Sequence, residues 1–89
     1  MKTISTQNAP AAIGPYSQGK IVGELVFVSG QIPVDPATGA VAEGIAAQAE
    51  QSCKNVAAVL EAAGSSMEKV VKTTCFVADM GDFAAFNGV

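Results

Sequence analysis

Histidine, arginine and tryptophan are absent from these 89 residues, and each absence removes a class of chemistry. Without histidine, the side chain whose ordinary pKa lies nearest neutrality is missing as general base, proton shuttle and metal ligand. Without arginine, nothing can grip a carboxylate or phosphate with a planar bidentate fork. The five cations are all lysines (Lys2, Lys20, Lys54, Lys69 and Lys72), and only Lys69 and Lys72 lie close together in sequence. With a net charge of −3, no nucleic-acid partner is expected, because such binding rests on clustered basic residues that neutralise phosphates. Aromatic residues are scarce as well: four Phe and one Tyr stand against sixteen alanines. A thin core follows, and a thin core is commonly remedied by association with further subunits.

Long apolar runs are missing too. The longest charge-free apolar stretch, Leu25 to Val34, is interrupted and too short to span a bilayer, and Met1 to Asn8 contains no apolar signal segment. No membrane association is expected, and a reducing, cytoplasmic setting is. Two cysteines, Cys53 and Cys75, then read as buried small hydrophobes and not as a disulfide. No histidine is at hand to activate either as a nucleophile.

What remains is enough to fold. An apolar share of 49% against 15% charged excludes disorder, and the length allows a single domain over residues 1–89 without internal repeats. Lys2 to Ser5 reads as a short edge strand. Asn8 to Pro15 carries two prolines and a glycine and reads as an ordered loop, with Gly14-Pro15 as a turn. Lys20-Ile21-Val22 and Leu25 to Ser29 flank Gly23-Glu24, the signature of a hairpin with a two-residue turn. Pro33 to Gly39 is turn chemistry throughout.

From Ile45 to Ala63, apolar residues recur every three or four positions at Ile45, Ala49, Cys53, Val56, Leu60 and Ala63. That spacing predicts an amphipathic helix, with Asn55 among the polar residues off the stripe, Cys53 buried on it and Gly64 as its C-terminal cap. Val70 to Val77 is rich in β-branched residues and predicts a returning strand, which would complete a right-handed strand–helix–strand crossover. Asp79 to Asp82 offers capping carboxylates for a second helix opened by Phe83 and Phe86. That helix stops within about two turns, either capped at Gly88 or cut short in a fragment of a longer protein. A sheet covered on one face only by helix must bury its other face against a partner.

Several linked motifs resemble the RidA/YjgF family of imine and enamine deaminases, whose members also carry the label endoribonuclease L-PSP. They are Asn8 to Gln18 (Asn-Ala-Pro-Ala-Ala-Ile-Gly-Pro-Tyr-Ser-Gln), Val28 to Pro33 and Asp35 to Gly39. Gln48-Ala49 and Asn55-Val56 in the helix follow, then Val71 to Thr74, Phe76-Val77, and Asp82-Phe83 through Asn87. The resemblance implies an α+β fold, a chorismate-mutase-like subunit with a mixed sheet and helices on one face, whose C-terminal strands lie outside this chain. It implies a homo-oligomer, a trimer, with clefts between subunits. The implied activity is hydrolysis of 2-iminobutanoate and 2-iminopropanoate to 2-keto acids and ammonia, with neither metal nor organic cofactor.

By the same resemblance, Tyr16, Ser29, Gly30 and Asn87 match positions that line the substrate cleft. The family's carboxylate-clamping arginine, the cysteine beside it and the glutamate associated with water have no counterpart here, so the catalytic residues are unassigned. The 89 residues alone are therefore expected to be impaired in turnover. Two other readings stand beside this one: a non-catalytic ligand-binding or oligomerisation module, and an endoribonuclease or translation inhibitor. The ribonuclease reading is the weakest, because an acidic chain without His or Arg lacks both an acid–base pair and a phosphate grip.

Overall fold

The computed structural model describes all residues from Met1 to Val89. Three strands form an antiparallel sheet in the order β1-β2-β3: β1 is Lys2–Ile4, β2 Gly19–Val22 and β3 Leu25–Val28. The hairpin turn lies at Gly23-Glu24 as expected, with Val22 opposite Leu25. Gly23 takes φ 59° and no non-glycine residue has a positive φ, the pattern of a turn whose left-handed residue is the first of two. The loop between β1 and β2 is held by Gln18, whose side chain makes four hydrogen bonds. Thr6 N–H donates to its Oε1 (2.7 Å), and its Nε2 donates to the carbonyls of Thr6 (3.0 Å), Ala9 (3.3 Å) and Pro10 (2.8 Å). One buried amide thus satisfies backbone groups that two prolines and a loop leave without ladder partners.

Helix α1 spans Ile45–Ala62. It ends as its sequence requires: Gly64 takes φ 81°, its N–H donates to the Glu61 carbonyl (3.0 Å), and Ser65 N–H donates to that of Leu60 (2.8 Å). Those two bonds make a Schellman cap. α1 crosses one face of the sheet, where Ile4, Ala9 and Val59 form the core, with Ile21, Val26, Val28, Ala58 and Ala63 packed around them. Only 8 of 89 residues are buried, so the thin core expected from composition is present. The opposite sheet face carries Leu25 and Phe27, both more than half exposed, with Val22 beside them.

The helix is rolled away from the expected stripe. Cys53 is exposed, not buried, and Asn55, expected off the stripe, is 1% exposed. The reason is polar. Asn55 Nδ2 donates to the carbonyls of Ile32 (3.0 Å) and Val34 (2.9 Å), two loop oxygens that no strand partners. Pairing these groups outweighs placing one small thiol in the core.

Val70 to Val77, expected as a strand, pairs with no other strand and so forms neither a strand nor a crossover. β-propensity reports a fit to a pleated, half-buried surface, and no neighbouring strand is present to provide one. Within residues 1–89 the sheet is therefore purely antiparallel and not mixed. Beyond this segment, Asp79 Oδ1 accepts from Gly81 N–H (2.8 Å) and caps a single 3₁₀ turn, Met80–Asp82, which leads into α2, Phe83–Asn87. Gly88 has φ −70° and is not a left-handed cap.

Candidate functional site

The loop on which Tyr16 stands is locally fixed. Pro15 sets its own φ, and Tyr16 N–H donates back to the Gly14 carbonyl at 2.8 Å, a three-residue turn that projects the ring outward. Tyr16 is half exposed, and its hydroxyl makes no hydrogen bond within the chain. Opposite stands the chain leaving β3. Ser29 N–H and Ser29 Oγ both donate to the Gln18 carbonyl, at 3.0 and 3.1 Å, which fixes the strand end. Asn55 holds the next turn from behind through Ile32 and Val34. Asp35 closes the turn on itself: its Oδ1 accepts from Ala37 N–H (2.8 Å), and its carbonyl accepts from Gly39 N–H (2.8 Å).

Between these two loops lies a cavity of about 270 Å³, to which Tyr16, Gly30, Ile13, Ile32 and Asp35 contribute walls. A wider groove of about 910 Å³ on the other side of Tyr16 is lined by residues between Thr3 and Gln18 together with Pro36. The smaller cavity is the better candidate, because it brings together two of the four expected site residues from separate loops. Its chemistry is mostly apolar with one carboxylate, and no lysine lines it. The Asp35 oxygen already serves as the acceptor for its own turn. At Gly30 an added Cβ would meet nothing within 4 Å, so packing inside this chain does not require glycine there.

The other two expected residues lie apart from it. Ser29 lines neither cavity and spends its hydroxyl proton on Gln18. Asn87 ends α2, exposed, and also lines neither. Gln18 and Asn55 were not singled out as site residues, yet they hold the two walls. Their signal was faint: each is a single amide in a segment otherwise read for turns or apolar spacing. No three His, Cys, Asp or Glu side chains cluster as metal ligands, and no helix is long and apolar enough to cross a membrane.

The family model described as Endoribonuclease L-PSP matches residues 6–89. A 2-iminobutanoate/2-iminopropanoate deaminase of Salmonella typhimurium is 63% identical over 86 residues, which cover 97% of this chain and 67% of that relative. The Escherichia coli protein of the same name is 58% identical over the same coverage. Among solved structures, the E. coli YjgF gene product superposes with a TM-score of 0.96 at 57% identity, covering 99% of this chain and 69% of that one. E. coli TdcF with bound serine gives 0.96 at 49% identity, again over 99% and 69%. The chain thus spans about two thirds of the length of these relatives, with their chorismate-mutase-like α+β fold. A family match over residues 6–89, joined to identity above 55% with two deaminases and superposition on YjgF, establishes that this chain belongs to the RidA/YjgF (endoribonuclease L-PSP) family.

Proposed function

We propose that these residues form the larger part of a subunit that hydrolyses small 2-imino acids to 2-keto acids and ammonia. The observation that carries this reading is the convergence of Tyr16 and Gly30 on one small, largely apolar cavity suited to a short aliphatic acid. The names of the two closely similar deaminases support it. In the reaction, water adds to the imine carbon, the nitrogen is protonated, and the tetrahedral carbinolamine expels ammonia as the carbonyl forms. Tyr16 Oη, free of partners in the chain, is placed to donate to or accept from a bound polar group. The Gly30 backbone can approach a ligand closely because no side chain intervenes.

A carboxylate anchor is what the cavity lacks. No cationic side chain lines it, and Asp35 would repel an acid. Turnover at a family-like rate therefore requires a cation from beyond residues 1–89 or from a neighbouring subunit. Charge-assisted anchoring is commonly worth about 1.5–3 kcal/mol. The subunit is proposed to form a homotrimer through the sheet face that carries Leu25 and Phe27, in a cytoplasmic setting. The test couples a threonine dehydratase to keto-acid detection. The 89-residue chain should leave imine decay at the buffer rate, whereas a version extended to the relatives' length should accelerate it. Acceleration by the 89 residues alone would place the anchor among them and overturn this account of the cavity; no acceleration by the extended protein would overturn the imine reading.

A further inference from the structure

Three residues with polar side chains line the smaller cavity: Tyr16, Gln31 and Asp35. Gln31 is oriented by one hydrogen bond, its Nε2 donating to the Ser29 carbonyl at 3.2 Å. That bond sets which way the amide faces and leaves Gln31 Oε1 as an acceptor without a partner in the chain. Asp35 is similarly half used: Oδ1 accepts from Ala37 N–H at 2.8 Å, and Oδ2 accepts nothing. Both residues are half-buried. The free side-chain atoms are therefore a hydroxyl, an amide oxygen and a carboxylate oxygen, and no cation stands among the lining residues. A ligand end with N–H donors and positive charge complements this set, and a carboxylate does not.

A protonated 2-imino acid has one end of each kind. Its planar iminium group offers N–H donors and positive charge, whereas its carboxylate offers only acceptors and negative charge.

We propose that Gln31 and Asp35 receive the nitrogen end of the substrate, so that its carboxylate faces out of the cavity. The proposal rests on the imine reading and deepens it, because it fixes the substrate's orientation. Gln31 Oε1 accepts an iminium N–H, and the Asp35 carboxylate supplies the opposite charge. A carboxylate beside that nitrogen favours its protonated form, the form to whose carbon water adds more readily. The outward carboxylate is left to the cation that residues 10–39 do not provide. The two ends of a short acid are thus read by different parts of the protein.

The experiment uses propanamidinium, a stable planar cation with N–H donors and no carboxylate, beside 2-oxobutanoate, which has the carboxylate and no N–H. Each is titrated into the 89-residue chain and followed by NMR. Propanamidinium should perturb the Gln31 side-chain amide, Gly30 and Tyr16, and should bind on the order of tenfold more tightly than the oxo acid. Asp35→Asn keeps an oxygen to accept from Ala37 N–H, so the turn should hold. It should weaken propanamidinium about tenfold and leave 2-oxobutanoate as tight as before or tighter. Opposite responses are the signature, since a variant that merely loosened the loop would weaken both. Gln31→Met, apolar and of similar length, should weaken propanamidinium alone. No propanamidinium binding, shifts confined to exposed carboxylates such as Glu24 and Glu61, or an affinity unchanged by Asp35→Asn would each overturn the proposal. The imine reading is tested separately by the coupled assay. Accelerated imine decay by the extended protein, with no propanamidinium binding, would refute the nitrogen site and keep the reaction; propanamidinium binding with imine decay left at the buffer rate would refute the substrate and keep a cation site.

Discussion

Asn55 on α1 donates its amide to the Val34 carbonyl at 2.9 Å, and through that bond the helix holds the loop that walls the candidate cavity. The same Nδ2 reaches Ile32, and Gln51 Nε2, one turn earlier, donates to Asn55 Oδ1 at 3.0 Å. A fully used, 1% exposed amide is a positioning device as much as a stabilising one. Asn55→Ala should cost about 1–3 kcal/mol in urea unfolding, because the Val34 carbonyl loses its donor and the Ile32 carbonyl keeps only the Val34 N–H. Gln51→Ala removes only the outer bond and should cost less than half as much. Equal stability of Asn55→Ala and the parent would show that the Ile32–Val34 turn holds itself.

Gly19 is fixed by space. A Cβ built there lies 3.0 Å from Ile4 Cδ1, from Val59 Cγ1 and from the Phe27 carbonyl oxygen. The two side chains can give way, but the carbonyl belongs to the β2–β3 ladder and cannot. Gly19→Ala should therefore destabilise by about 1–3 kcal/mol, the cost of overpacking. A variant as stable as the parent would mean that the hairpin shifts on α1 without loss.

How much of this was legible in the sequence depends on whether a segment makes its own structure. The hairpin at Gly23-Glu24 and the Schellman cap at Gly64 are local, and turn chemistry alone places both. Asn55 was misplaced because apolar spacing is blind to a polar residue that a distant loop makes worth burying. Val70–Val77 was read as a strand from its side chains, which is a statement about a surface it would fit, and residues 1–89 do not provide that surface. Of the four residues that the family resemblance suggests for a cleft, Tyr16 and Gly30 line one candidate cavity, while Ser29 turns inward to Gln18 and Asn87 stands apart.

The rolled helix has a direct chemical consequence. Cys53 is exposed, as is Cys75, so both thiols of the native 89-residue chain should react readily with a maleimide at neutral pH. Cys53→Ser should change stability by no more than about 0.5 kcal/mol, as for other surface substitutions. A Cys53 that labels only on unfolding would mean that another subunit covers it in solution.

The sheet face opposite α1 carries Leu25 and Phe27, each more than half exposed. Two large apolar side chains side by side on an uncovered sheet call for a partner surface. Phe27→Glu would place charge at the centre of that contact and should shift the sedimentation profile towards monomer at equal concentration. A parent chain that sediments as a stable monomer would dispose of the association before the variant is made.

Gly30 separates folding from binding. Its Cβ position is empty to 4 Å, so Gly30→Ala should fold as the parent does, within about 0.5 kcal/mol. The added methyl nevertheless lies on the wall it shares with Tyr16, where a ligand would have to approach the backbone. Titration with 2-oxobutanoate, a stable analogue of the proposed substrate, should perturb the NMR signals of Tyr16 and Gly30 in the parent at millimolar concentrations. The response should be weak, because no cation lines the cavity. In Gly30→Ala the perturbation at Tyr16 should shrink or vanish while the remaining spectrum stays in place. Shifts confined to the lysines, with Tyr16 silent in both proteins, would mean that the acid is held by surface charge and that the cavity between residues 10–16 and 30–39 is not the binding site.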